Sequence, residues 1–170
     1  GVDTQYFKAS QEVTITAEDL GSGLDKIYYY LATEVLTDAE AAALKSTVWT
    51  EYTGPIVIDP QADVIVYAKA VDKDGNKVII NSDRIVVDSI VPEITFDENE
   101  NYYGDTTFEA KDTYLDKVYV DGEEVTLTDG KYTIDADGEE HTITAVDKAG
   151  NESSFFYFIT AKSLWLDVTA

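Results

Sequence analysis

The sequence predicts an all-β protein of two β-sandwich domains in series, the first interrupted by a short helix. Three observations carry this. Ala70-Val71-Asp72-Lys73-Asp74-Gly75-Asn76 recurs 75 residues later as Ala145-Val146-Asp147-Lys148-Ala149-Gly150-Asn151. Leu24-Asp25-Lys26-Ile27-Tyr28 returns upstream of the second copy as Leu115-Asp116-Lys117-Val118-Tyr119, so each half carries the same two marks in the same order. Between these marks run strand-like stretches of four to eight residues, rich in Val, Ile, Thr and Tyr and punctuated by turn residues. The expected domains are residues 1–90 and 91–170.

The elements follow in order. Val13, Ile15 and Ala17 alternate with Thr14, Thr16 and Glu18, the period of a half-buried strand over 13–18. Asp19-Leu20-Gly21-Ser22-Gly23 is a turn, and Lys26 to Leu31 is the next strand. Residues 32–48 break the pattern. Thr37-Asp38-Ala39-Glu40 fits a capping box, with Thr37 as N-cap and Glu40 three residues on, so a helix of two turns is expected near 38–45. The second half has no counterpart: Leu24 to Asp72 spans 48 residues and Leu115 to Asp147 only 32. Extended structure resumes from Trp49 to Ile58, and Val64 to Val71 reads as a strong strand. After the Asp72–Asn76 turn come Lys77 to Ile80 and a separate closing strand, Arg84 to Asp88. Ser89-Ile90-Val91-Pro92 is a short apolar linker poor in flexible residues.

The second half repeats the plan more compactly. Strands are expected at 93–96, 106–111, 117–120, 124–127, 131–134, 141–146 and 153–160, with Asp121-Gly122, Asp129-Gly130 and Asp137-Gly138 as turns. In both copies of Asp-Lys-X-Gly-Asn the Asp is placed to accept backbone N–H groups, and Gly75 or Gly150 to take positive φ. That is a hairpin on a type I turn with a bulge.

Alternating strand, Ala-Val-Asp-Lys-X-Gly-Asn, return strand, then Val87-Asp88 ahead of Pro92 resembles the bacterial immunoglobulin-like repeats of cell-surface and secreted proteins. Residues 19–28 resemble them too, and the likeness covers nearly the whole chain. The resemblance implies two tandem immunoglobulin-like β-sandwiches, the kind of module found in stalks, adhesins and accessory regions of secreted enzymes.

Composition narrows the function. The net charge is −22, from 34 acidic and 12 basic residues. Residues 1–91 hold 15 acidic against 7 basic groups, and residues 92–170 hold 19 against 5. Such a surface repels nucleic-acid phosphates and anionic membranes. Cysteine is absent, which fits a cytosolic protein or a bacterial surface protein better than an animal secreted one. No run of 18 apolar residues spans a membrane, and no signal peptide is present. The opening Gly1, with no Met, reads as the scar of a removed tag, so an excised piece of a larger protein is expected.

No residue is assigned to catalysis, to a cofactor or to a metal. Asp72, Asp74 and Asn76 offer oxygens for calcium, but their spacing is not that of an EF-hand and Ala149 replaces Asp74 in the second copy. The turn is read as structural. A calcium ion at the domain junction, using Asp88 and a neighbouring loop, is the weaker alternative. His141 is the sole histidine and reads as a strand-end residue, since zinc and a Ser-His-Asp triad both need partners that are not evident. Acidic pairs such as Asp97-Glu98-Glu100 and Glu139-Glu140 arise by chance in so acidic a chain, and small sandwiches lack the cleft a glycosidase needs. Tyr28-Tyr29-Tyr30 and Phe155-Phe156-Tyr157-Phe158 place rings on both strand faces, for core or interdomain packing or, as the alternative, a ligand platform. Trp165 is expected in a terminal strand or the next linker.

The expectation is therefore a non-enzymatic, extracellular, monomeric module of a bacterial surface protein, acting as stalk or spacer or in adhesion. The alternative is a carbohydrate-binding or accessory module of a secreted polysaccharide-active enzyme. Expected partners are the neighbouring domains of a larger chain, with a glycan or host matrix protein as candidate ligand. No cofactor is expected.

Overall fold

In the computed structural model the structure describes residues 2–96 and 105–158. The chain divides into two compact units, Gly1–Ser89 and Ile90–Ala170.

The first unit has seven strands: β1 (Thr4–Phe7), β2 (Gln11–Val13), β3 (Leu24–Ala32), β4 (Thr50–Glu51), β5 (Ile56–Ile58), β6 (Ala62–Asp72) and β7 (Lys77–Val87), with helix α1 (Asp38–Ala43) between β3 and β4. Five strands form one sheet in the order β1-β7-β6-β3-β4, and β2 pairs with β5 in the other. This is the distribution of an immunoglobulin-like sandwich, with the last, sixth, third and fourth strands in one sheet and the second and fifth in the other. β1 lies parallel to β7, Thr4 opposite Arg84 and Phe7 opposite Val87. Ile56, Ile58, Val66, Ile85 and Val87 fill the space between the sheets, with Tyr29 and Tyr52 packed against them.

The five-stranded sheet is covered on its other face as well. Ala32, Trp49, Ile65 and Tyr67 form a second core with Ala41 of α1, flanked by Tyr28, Tyr30, Leu36 and Leu44. The helix forms where the capping box places it. Thr37 Oγ1 accepts from the Glu40 backbone N–H at 3.3 Å, and the Glu40 carboxylate accepts from the Thr37 N–H at 2.8 Å. Six residues cannot hold a helix by themselves. This one is held by packing and by anchors from two neighbouring strands. The Tyr67 hydroxyl accepts from the Leu36 N–H at 2.7 Å, and Arg84 donates to the Thr33 carbonyl at 3.0 Å.

Two details differ from the sequence expectation. The strand expected over 13–18 ends at Val13, because its partner β5 is only three residues long. Val13 and Ile15 still point inward, and the Ile15 N–H finds the Tyr52 hydroxyl at 3.1 Å instead of a strand. The segments 77–80 and 84–88 are one strand, not two. The polar run Asn81-Ser82-Asp83 is absorbed as a bulge: Ile65 faces Arg84 while Tyr67 faces Asn81, and the Ser82 hydroxyl accepts the Val66 N–H at 3.0 Å.

The second unit has β8 (Glu93–Phe96), β9 (Thr106–Lys111), β10 (Leu115–Val120), β11 (Glu123–Val125), β12 (Lys131–Ile134), β13 (Glu140–Asp147) and β14 (Glu152–Phe158). Its sheets are β11-β10-β13-β14 and β12-β9-β8. One core lies between them, built on Phe108, Ile143, Ala145, Val118 and Ile94. The Asp121-Gly122 hairpin has φ of 52° and 83°, and Asp129-Gly130 has 50° and 80°, the paired positive values of a type I′ turn.

Candidate functional site

The two repeated marks, distant in sequence, are one structural unit. Leu24 pairs with Asp72 and Lys26 with Val71, so Asp25 is the extra residue of a bulge; Leu115, Asp116 and Lys117 repeat this against Asp147 and Val146. The Lys73 N–H donates to the Gly23 carbonyl at 3.0 Å, and the Lys148 N–H to the Tyr114 carbonyl at 2.9 Å. In the turn, Asp72 accepts from the Asn76 backbone and side-chain amides, both at 2.7 Å, and Asp147 accepts from Asn151 at 2.8 and 2.7 Å. Gly75 and Gly150 take φ of 87° and 81°. The Asn76 side chain, by donating to Asp72, holds that carboxyl below its ordinary range. The carboxylate at the turn start thus works within the hairpin. The two copies differ in exposure. Asp147 and Asn151 are buried, whereas Asn76 is exposed.

His141 is more than a strand-end residue. It is buried, with Nδ1 2.7 Å from Asp121 Oδ2 and Nε2 3.1 Å from Asp137 Oδ1. Asp121 raises its pKa most, with Asp137 adding to the effect against the cost of burial. Both carboxyls are held low, Asp121 first by the Thr142 N–H and Asp137 first by the Glu139 N–H. With a carboxylate on each ring nitrogen, His141 braces two turns and leaves neither nitrogen to activate a hydroxyl.

The tyrosine run is divided between two cores. Tyr28 and Tyr30 join the helix-side cluster and Tyr29 joins the intersheet core. On β14, Tyr157 stacks on Phe96 with centroids 4.5 Å apart, and Phe155 meets the same ring edge-on at 6.2 Å. Phe156 is exposed. No row of exposed rings lies on one sheet face among the described residues. Asp97, Glu98, Glu100 and Trp165 lie outside the described residues.

A concavity lies in the first unit, between the inserted segment and the sheet. It encloses about 470 Å³, in the range of about 300–1,000 Å³ usual for small-molecule sites. Its floor follows from strand register. Tyr67 lies opposite Asn81, Lys69 opposite Ile79 and Val71 opposite Lys77, so Lys69 and Lys77 are diagonal neighbours on one face. Ala41 and Leu44 of the helical segment form a wall, with Trp49 beside them. The Lys69 ammonium sits 4.2 Å from the Trp49 ring centre and 4.7 Å from that of Tyr28. Burial lowers the Lys69 pKa, and the positive charge of Lys77 lowers it further. Asp38, Ser46 and Asn81 add polar groups at the margin. Nothing in the sequence singles out Lys69 or Lys77. The available signal is a lysine in phase with Ile65 and Tyr67, on a face that the strand otherwise fills with large apolar groups.

Among the described residues no helix is long and apolar enough to cross a membrane. No family model matches the chain, and no curated protein matches it. Among solved structures it is similar to one described as fibronectin(III)-like modules of CbhA from Clostridium thermocellum, at 17% identity and a TM-score of 0.35, covering 99% of this chain and 95% of that one. A likeness at that level carries no argument about function; the all-β, two-unit architecture rests on the strands and their pairing.

Proposed function

We propose that this chain is a pair of non-catalytic, extracellular modules of a bacterial cell-surface or secreted protein, spacing or presenting a neighbouring binding region. The observation that carries this reading is the repeated bulge-and-turn unit. In both copies the turn's carboxylate and amide side chains are bonded to each other, Asp72 to Asn76 and Asp147 to Asn151. His141, the residue best suited to proton transfer, is likewise held at both nitrogens. An acidic surface suits a soluble, self-repelling spacer.

The test is an assay of the chain against a panel of polysaccharides for release of reducing ends, run beside a binding screen of glycans and matrix proteins with and without calcium. No turnover is expected on any substrate, and turnover on one would overturn the reading. Silence in the binding screen supports a spacer.

A second reading, a carbohydrate-binding or accessory module, is favoured by one observation: the cavity beside Trp49 in the first unit. A glycan hit in the same screen that is lost on altering that cavity would select it.

A further inference from the structure

We propose that the cavity beneath the inserted helix is a binding site for a small hydroxylated organic carboxylate of the uronic-acid kind, its carboxylate held by Lys69 and Lys77. Both lysines line the cavity. Neither has a carboxylate within ion-pair distance among the described residues, although the chain carries 34 acidic side chains. By contrast Lys26, Lys111, Lys117 and Arg84 each meet an acid at 2.6 to 3.0 Å.

Like charges on neighbouring strands repel each other, and the Lys77 charge acts on Lys69 in this sense. Lys69 is also partly desolvated, a cost that its place over the Trp49 and Tyr28 rings offsets in part. An anion placed between the two ammonium groups would offset their repulsion, which is the physical basis for affinity. Long-range repulsion from the rest of the molecule does not prevent this. At physiological ionic strength charges beyond about 8 Å are largely screened, so the nearby lysines dominate.

The remaining lining selects what the anion is attached to. Trp49, Ile79 and Leu44 present apolar surface, while Asp38, Ser46 and Asn81 offer acceptors and donors suited to hydroxyl groups. An inorganic anion uses only the lysines, and a neutral sugar only the rest. A sugar acid uses both sets.

The experiment is calorimetric titration of the whole chain with D-glucuronate and D-galacturonate, with D-glucose and inorganic phosphate in parallel. Saturable uronate binding is expected, weakened by added salt, with glucose, which lacks the carboxylate, and phosphate, which lacks the hydroxylated ring, each at least about tenfold weaker. Lys77→Gln, at an exposed position, should weaken uronate binding about tenfold while leaving the melting transition in place. Lys69→Gln should do the same, and should its fold suffer, Lys77→Gln carries the result. The proposal is overturned if neither uronate binds, if Lys77→Gln binds as tightly as the parent, or if glucose or phosphate binds as tightly as uronate. Such a failure leaves the non-catalytic reading intact, since that reading falls only to turnover.

Discussion

The two units share a skeleton and differ in how they cover it. In both, the third, sixth and seventh strands meet through the same bulge and the same Asp-Asn-locked turn. The first strand does not follow suit. β1 pairs parallel with β7, whereas β8 pairs antiparallel with β9 and so joins the opposite sheet. Coverage differs most. β13 alternates strictly, with His141, Ile143, Ala145 and Asp147 buried and the residues between them less so. β6 buries Ile65, Val66 and Tyr67 in succession, because α1 and Trp49 cover a face that has no such helix over it among the described residues of the second unit. The lesson is that the repeat preserves a locally specified hairpin, while the surrounding layers are free to change.

The comparison is broken most directly by deleting a core group in each unit. Trp49→Ala should cost the first unit about 3–5 kcal/mol, and Phe108→Ala should cost the second about as much, each in its own thermal transition. If Trp49→Ala left the first transition unmoved, the helix-side cluster would not be a second core.

Next in size is the turn lock, identical in bonding and unequal in burial. Asn151→Ala leaves the buried Asp147 carboxylate short of a partner and should cost about 2–3 kcal/mol, whereas Asn76→Ala should cost about 1 kcal/mol or less. Denaturant midpoints of the two variants measure the gap, and equal losses would mean that burial does not set its strength.

A smaller effect tests the turn backbone. Gly75→Ala should destabilise by about 1–2 kcal/mol through its positive φ alone, since nothing lies within 4 Å of the added Cβ. Gly75→Asn, which tolerates this region better, should recover part of the loss. A Gly75→Ala variant as stable as the parent would remove the turn assignment.

The smallest and most selective difference is in pH. His141 belongs to the second unit and the first has no histidine. Its pKa is raised from 6.5, so its contribution is full below that value and is lost as pH rises through the raised one. Asp121 and Asp137 are lowered from 3.8, so theirs is present above that value and lost as pH falls. The stability of the second unit should therefore be greatest between these limits. His141→Gln should flatten the alkaline decline in that unit and leave the first unit unchanged, as followed by melting across pH.

Much of this was legible beforehand because it is local. The hairpin glycines, the Thr37–Glu40 capping box and the type I′ dipeptides act over four or five residues, and each forms where the sequence places it. The double coverage of the first unit also has a trace, in the unbroken apolar run Val64-Ile65-Val66-Tyr67-Ala68, which the 75-residue offset sets against Glu139-Glu140-His141-Thr142-Ile143. His141 was less legible, for its two carboxylates come from separate turns, one of them 20 residues away.

The sequence by itself determined most of the strands, their turns, the helix start and the duplication, since these depend on φ preferences, period and short-range hydrogen bonds. Tertiary structure alone decided which sheet the first strand joins. It also joined the Leu-Asp-Lys bulge to the Asp-Lys-X-Gly-Asn turn, and enclosed Lys69 and Lys77 with Trp49 in one cavity. Each of those outcomes requires closing loops of tens of residues and is fixed by which faces bury the most apolar surface, a quantity that no short window of sequence contains.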